Sequence, residues 1–371
     1  MAVRRRIFRV LGRSTVGLLI GAFLIGYAAP YLPPAQFWWT DLFALLVPPL
    51  GVGAGVVAVA LLGQGVYRGA WGRVALAVML LGLVAIRFGP PPVVGGEADR
   101  QGETLEVMTF NVPPSRAQDS TSAARLRQFL RREAPDVLAL QEAWIKTDIA
   151  SRAGLASSSG SYQALLADSL DYAPPRAHPA QTLIHQPVIG RLALDSVSVH
   201  SLPPDGETDP RSRYTRTEFR WKGQAIVLYN VHLHTVGTHP EDLRAAGWAL
   251  GNWRSLLWTY REGALRRAEQ AQILRRRIAQ ESLPVLVVGD FNSTPHQWAY
   301  RHIAEGLQRT DRWSPWGRGG TFPAQWPIVR IDHVLAGPAW EIVGTRVPGV
   351  EGAALMSDHR PVVARLRWRG D

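Results

Sequence analysis

The chain contains no cysteine, which excludes disulfide scaffolds, thiol nucleophiles and cysteine-ligated zinc together. Lysine is nearly missing too: Lys146 and Lys222 are the two present, so arginine supplies almost all of the 41 basic residues. Internal repeats are lacking, and the nearest thing to a low-complexity tract is a serine run at 157–159. With 46% hydrophobic and 19% charged residues, the 371-residue chain is neither disordered nor fibrous. The formal charge of +11 divides into +5 up to Asp99 (eight arginines against Asp41, Glu97 and Asp99) and +6 beyond it (33 basic against 27 acidic residues). So thin an excess tolerates a phosphate-bearing substrate but does not mark a nucleic-acid stripe.

Charge is also missing locally. None lies between Arg13 and Asp41, and residues 16–32 are apolar enough to cross a hydrocarbon core needing about 20 residues. A second uncharged run, between Asp41 and Arg68, carries Pro48-Pro49, a pair expected to kink a helix without preventing insertion. The third run, 74–86, is short; Ala70, Trp71 and Phe88 extend it, with Arg73 and Arg87 snorkelling from its ends, and the competing reading is an interfacial helix. Arg4, Arg5, Arg6, Arg9 and Arg13 precede the first span, and the link 33–40 has no positive charge. Three spans therefore predict a multi-pass protein of the cell membrane with a cytoplasmic N-terminus and an extracytoplasmic C-terminal domain. The leading RRRIF also fits a twin-arginine export signal, but two further spans argue against cleavage to a soluble protein. The expected division is a membrane domain at 1–89, a proline- and glycine-rich linker at 90–103 and a soluble domain at 104–371.

From Thr104 onward, β-branched and aliphatic runs alternate with arginine-rich helical patterns, which predicts an α/β domain. Strands are expected at 106–112, 137–140, 182–184, 214–221, 225–233, 284–288, 331–335 and 361–366, and helices at 123–132 and 243–280. Polar residues then recur where packing alone would choose something else. Asn111 follows Met108-Thr109-Phe110, Glu142 follows Leu138-Ala139-Leu140, and Asn230 and His232 interrupt the run 227–233. Asp290 and Asn292 follow 285–288, Asp332 follows 329–331, and Asp358-His359 precedes Pro361-Val362-Val363. Singly, each is a turn residue, a cap or a satisfied core group. Together, on six strands, they suit metal-assisted phosphoryl chemistry: hard oxygen ligands for a cation, a carboxylate to aim water in line and a histidine opposite.

The motifs TFNV (109–112), PDVLALQE (135–142), YNVHLHT (229–235), VVGDFNSTP (287–295), RIDHVL (330–335) and SDHRPV (357–362) resemble those of the endonuclease/exonuclease/phosphatase superfamily. They stand in family order and span nearly all of 104–368. The resemblance implies a four-layer α/β sandwich of the deoxyribonuclease-I-like kind behind N-terminal transmembrane helices, and a metal-dependent hydrolase acting on ester bonds. It implies Glu142 as the principal Mg²⁺ ligand, with Mn²⁺ as a substitute, Asn111 close by and Asp358 completing the metal side partly through water. His359 is implied as the catalytic histidine and Asp332 as the carboxylate orienting it. Asp290 is implied as the base for the attacking water, Asn292 as the amide beside it, and His232 with Asn230 as contacts to the scissile phosphate. Arg216 matches a position where many members place a phosphate-facing arginine; an exposed strand arginine is the equal alternative. Two departures stand out. Pro113 occupies a position where some nucleases of the fold carry an extra aspartate, and Leu183-Ile184-His185-Gln186-Pro187 lacks a usual arginine, a loss that His185 is expected to leave uncompensated.

In overall plan the chain looks like the teicoplanin-resistance membrane phosphatases, for which prenyl pyrophosphates have been proposed as substrates. Membrane lipids and a phosphorylated, lipid-linked substrate are the expected partners; a surface nuclease or a phospholipid or sphingolipid phosphodiesterase is the alternative. A nuclease would need a basic groove, and Arg266, Arg267, Arg275, Arg276 and Arg277 read instead as a solvated helix face. Trp248, Trp253, Trp258 and Tyr260 fit either a membrane interface or core packing, with core packing preferred. A domain that only bound a partner would have lost some of Glu142, His232, Asp290, Asp332 and His359; all are present. No obligate protein partner is readable.

Overall fold

The structure is a computed structural model that describes residues 2–88, 104–113, 120–146, 183–202, 212–235, 253–313, 319–349 and 356–370. The expected linker at 90–103, the loop 151–179, most of 203–213 and the start of the expected long helix, with Trp248, lie outside the described residues.

Helix α1 (Ala2–Ala28) passes through a 3₁₀ turn (Ala29–Tyr31) into a link of two short helices, α2 (Pro34–Phe37) and α3 (Thr40–Leu45). Helices α4 (Val47–Tyr67) and α5 (Trp71–Phe88) follow as a hairpin. Three stretches, Gly12–Tyr31, Val47–Tyr67 and Trp71–Phe88, are long and apolar enough to cross a membrane. Pro48 and Pro49 lie in the first turn of α4 and form no mid-helix kink, because the N–H groups missing there have no intrahelical partner in any case. Phe23, Val47, Ala54, Ala58, Ala77 and Leu80 are buried between the helices, the alanines allowing close approach. Val52, Val56, Val78 and Ile86 face outward, an apolar exterior that suits lipid and not water.

Beyond the helices lie two facing sheets. One contains β1 (Thr104–Asn111), β2 (Val137–Gln141), β5 (Val188–Gly190), β12 (Trp340–Arg346) and β13 (Val362–Trp368), in the order β12-β13-β1-β2-β5. The other contains β6 (Leu194–Ser201), β7 (Arg213–Trp221), β8 (Gln224–His232), β9 (Val285–Asp290), β10 (Gln308–Arg309) and β11 (Asp332–Ala336), in the order β10-β11-β9-β8-β7-β6. A two-stranded pair joins β3 (Trp144–Lys146) to β4 (Leu183–His185). The layer between the sheets is apolar, with Leu105 and Val107 of β1, Val137 and Ala139 of β2, Ile226 and Leu228 of β8, and Leu286 and Val288 of β9. Helix α6 (Ser120–Glu133) covers the first sheet through Leu126, Phe129 and Leu130. Helices α7 (Trp253–Ala279) and α8 (Trp298–Ile303) cover the second through Ala271, Leu274, Ile278, Tyr300 and Ile303. The central strands thus bury both faces, the condition of a four-layer α/β sandwich. Strands β5, β6, β10 and β12, which the sequence patterning missed, are the edge strands of the two sheets, and β3, also missed, belongs to the two-stranded pair; β6 and β12 carry irregular registers that blur the two-residue period.

Where β8 and β9 run parallel, Gly289 has φ +136°, and a Cβ there would lie 1.9 Å from the Val231 carbonyl oxygen. Only glycine fits so close an approach. Gly289→Ala is expected to cost more than about 2 kcal/mol and to lower the thermal midpoint sharply without a change of fold class, as read by circular dichroism in detergent.

The apolar helices dock on the loop that leaves β9. Arg87 Nε donates to His296 Nδ1 (2.8 Å), and Phe88 packs on the same imidazole. Gln297 Nε2 reaches Asp41 Oδ2 (3.5 Å) in the link and Tyr260 OH (3.1 Å) in α7. Arg301 stacks over Tyr31. Burial pushes Asp41 up to about 6, against the pull of Arg267. An acid whose folded-state pKa is raised contributes stability below its unfolded value, and that contribution is lost as pH climbs through the folded one. Asp41→Asn keeps an acceptor for Gln297 and removes the buried charge, so its thermal midpoint should match wild type near pH 4 and exceed it at pH 8.

Candidate active site

Side chains alternate along a strand, so each strand sends every second residue into the layer between the sheets. On β1 that row runs Leu105, Val107, Thr109, Asn111; on β2 Val137, Ala139, Gln141; on β8 Ile226, Leu228, Asn230, His232; on β9 Leu286, Val288, Asp290. On β11, which is antiparallel, Asp332 takes the corresponding place beyond Val334 and Ala336. The apolar layer therefore turns polar at one end. Register then aligns the ends: His232 pairs with Asp290 across the parallel β8–β9 ladder, and Asp332 pairs with Asp290 across β9–β11.

Asp290 is the hub. Its Oδ2 accepts from Asn111 Nδ2 at 3.1 Å, with His232 Nε2 at 3.7 Å and His359 Nε2 at 3.8 Å, while Oδ1 accepts the Asn292 N–H at 2.8 Å. Burial and the neighbouring Asp332 raise its pKa above the usual carboxylate range, opposed by His359 and His232. His359 Nδ1 lies 2.9 Å from Asp332 Oδ2. Burial disfavours a charged imidazole there, but Asp332 and Asp290 outweigh it and hold His359 well above the usual histidine range. The loop before β13 is anchored by Ser357, whose Oγ donates to the Asn111 carbonyl (2.6 Å) and accepts the His359 N–H (2.9 Å). Thr321 Oγ1 accepts the N–H groups of Ile331 and Asp332, and Phe322 packs on the His359 ring.

Glu142 follows β2 with φ +55°, and its Oε1 comes 3.4 Å from Asn111 Nδ2. Asn111 Oδ1 is buried and finds no hydrogen-bond partner among the described residues, while Nδ2 is the amide atom that faces Glu142; with the amide turned over, its oxygen and the Glu142 carboxylate form a donor set that fits a hard divalent cation. Asp290, Asp332 and His359 also bring ligand atoms within 4.8 Å of one another. There Asp332 and Asp290 hold His359 in its protonated form, whose ring nitrogens have no free lone pair for a cation, which favours the Asn111–Glu142 side for a metal. Asp358 is exposed at the rim, its backbone carbonyl accepting the Ala324 N–H.

The expected site residues thus come together at the polar end of the layer, with two corrections. Arg216 points to the outer face of its sheet, where Glu281 grips its Nε and Nη2 (2.7 and 3.1 Å) and Glu218 its Nη1; Arg216 in turn holds Glu281 below the usual carboxylate range. Asn230 is fully buried behind the site: its amide donates to the carbonyls of Leu140 and Gln186 (2.9 Å each) and accepts from Gln141 Nε2 (2.6 Å). It welds the two sheets together and offers no donor to a phosphate. Asn292, at φ +45°, spends one amide hydrogen on the Leu233 carbonyl (3.0 Å). His185 contributes its backbone carbonyl, to Thr215. Gln141, which reads as the last residue of an apolar strand, is the missed member; its inward parity with Asn111 was the available signal. The arginines of α7 form no basic stripe, since Arg267 is buried and Arg275 faces Glu305.

The family described as the endonuclease/exonuclease/phosphatase family matches residues 94–359. The chain belongs to that family, whose members are hydrolases acting on phosphoester bonds and generally using divalent metals. An endonuclease/exonuclease/phosphatase from Beutenbergia cavernae DSM 12333 is similar in fold, with TM-score 0.50 and 22% identity over 72% of each chain. A family protein from Bacteroides thetaiotaomicron has TM-score 0.50 and 15% identity over 73% of this chain and 100% of its own. A search among curated proteins returns no match.

Asp332→Asn should lower kcat by about 10²–10⁴-fold with little change in KM or folding, because it removes the partner that orients and charges His359. Asn230→Ala should instead cost about 2–3 kcal/mol of stability by orphaning buried carbonyls, and Arg216→Ala should leave kcat/KM unchanged. Steady-state kinetics on a generic phosphodiester, beside thermal melts, separates the three.

Proposed function

We propose that the protein is a membrane-anchored, Mg²⁺-dependent phosphoesterase that hydrolyses a phosphoester or pyrophosphate bond of a membrane lipid, such as a prenyl pyrophosphate. One observation carries this reading. The loop that bears Asp290 and Asn292 also holds His296 and Gln297, which dock on the ends of the apolar helices. Six residues of chain reach at most about 20 Å, so the reacting groups lie within about 20 Å of the ends of the helices that would span the bilayer. A substrate whose phosphate sits at that surface meets the site without leaving its membrane. The topology that goes with this reading puts the N-terminus in the cytoplasm and the catalytic domain outside.

Asn111 and Glu142 would hold the Mg²⁺, with Asp358 reaching it through water and Mn²⁺ as a substitute. When bound, the cation would polarise the phosphoryl oxygen and offset its growing charge. Asp290, buried and raised toward neutrality's edge, takes the proton from an in-line water as its oxygen bonds to phosphorus, and Asn292 steadies that water. The bond from phosphorus to the leaving oxygen breaks with its electron pair on that oxygen. His359, kept protonated by Asp332, donates to the opposite phosphoryl face, and His232 adds a second ring beside Asp290. No enzyme-bound covalent intermediate is needed.

Full-length protein in detergent with Mg²⁺ should release phosphate from a prenyl pyrophosphate, and His359→Ala and Asp290→Asn should each abolish the release. Cleavage of short DNA alone, sensitive to the same substitutions, would replace the lipid reading with a surface nuclease. A reporter fused after Arg369 that is active only in the cytoplasm would overturn the topology.

A further inference from the structure

The start of α7 does something that its expected role in core packing does not explain. From Ala264 onward the helix buries Ala264, Ala268, Ala271, Leu274 and Ile278. Its first six residues, 253–258, overhang the sheet: Trp253 is 54% exposed, Leu256 45% and Trp258 59%. Among the described aromatics expected to fill the core here, Tyr260 is buried and Trp253 and Trp258 are not. Two indoles and a leucine held in water are costly for a globular surface, at roughly 25 cal/mol per Å² of apolar area.

What lies next to them identifies a suitable cover. Tyr260 hydrogen-bonds Gln297, which reaches Asp41 of the link, and α7 contacts α2 directly. Trp253 is seven residues before Tyr260, about 10 Å along a helix. Phe37 and Trp39 of the same link are exposed as well. Exposed aromatics therefore stand both on the link and on the first turns of α7, two elements in contact with each other. The charges agree: the Arg254 guanidinium stacks on the Trp253 ring (5.4 Å) and that of Arg261 on Trp258 (5.0 Å). Indole with a stacked guanidinium is amphipathic in the way the headgroup layer rewards, with the ring at the acyl boundary and the cation free to meet lipid phosphate.

We propose that residues 253–258 form a membrane-interface foot, in which Trp253, Leu256 and Trp258 enter the headgroup layer of the bilayer spanned by the three apolar helices and Arg254 and Arg261 engage lipid phosphates. The foot rests on the membrane-anchor reading. It gives the catalytic domain a second point of support beside its docking loop, which fixes the tilt of the active site toward the lipid surface.

The chain has no cysteine, so single labels are unambiguous. Full-length Trp258→Cys, Leu256→Cys, Val78→Cys and Lys222→Cys proteins, spin-labelled and reconstituted in phosphatidylcholine–phosphatidylglycerol vesicles, are compared by accessibility to oxygen and to a water-soluble nickel chelate. Val78, on the outer face of α5, should read deep in the bilayer, Lys222, in a distant hairpin turn, fully aqueous, and Trp258 and Leu256 at headgroup depth. The two foot labels provide independent positions should one variant fail to fold. Foot labels as aqueous as Lys222, with Val78 deep, would overturn the foot and leave the anchor standing, pointing to a protein partner or a second copy as its cover. An aqueous Val78 would overturn both.

Discussion

A carboxylate removed from water is the constraint around which this protein is built. Asp290 is fully buried at the end of a central strand, where an uncompensated charge would cost far more than any nearby packing could return. Its compensation comes from four directions: the amide of Asn111 on the facing sheet, His232 on the adjacent strand, His359 from the loop before β13 and the backbone N–H of Asn292. These groups converge only if the two sheets face each other in one register. The same convergence that makes the charge tolerable also makes it reactive, since Asp332 beside it both raises Asp290 and charges His359.

That constraint explains the second rank of residues. Asn230 and Gln141 bridge the sheets one step behind the reacting groups, and Thr321 and Ser357 fix the backbones that present Asp332 and His359. Gly289 lets β8 and β9 approach closely enough for His232 and Asp290 to meet. None of these would touch a substrate, and each limits how far the reacting atoms can wander, at a scale where an ångström matters to rate.

The loop after Asp290 has a second task. Through His296 and Gln297 it receives Arg87, Phe88 and Asp41 from the helical part of the chain. The loop at the candidate site and the apolar helices are therefore one mechanical unit. The family fold is here tied to apolar helices beside its candidate active site.

Much of this was legible in order along the chain. Hydrophobic period two located most strands, uncharged runs located the helices fit to span a membrane, and polar residues closing apolar runs located Asn111, Glu142, His232, Asp290, Asp332 and His359. Those signals are local, because a strand end breaks its apolar pattern only where something other than packing selects the residue. What the sequence could not show is which neighbour each side chain finds across the fold. Arg216 sits on a strand beside the site, yet its parity turns it to the outer face and into Glu281; Asn230 shares the parity of His232 but lies one step deeper, where carbonyls consume its amide. Trp258 and Tyr260 read alike in sequence, and only the position of the link under α7 decides that one is exposed and the other buried. Composition and periodicity determined the α/β class, the apolar helices and the polar residues that close the strands, and the motif resemblance supplied the layers and the residue roles. Tertiary structure alone decided the hub at Asp290 and the docking of its loop on the apolar helices, because both depend on contacts between residues 27 to 256 positions apart.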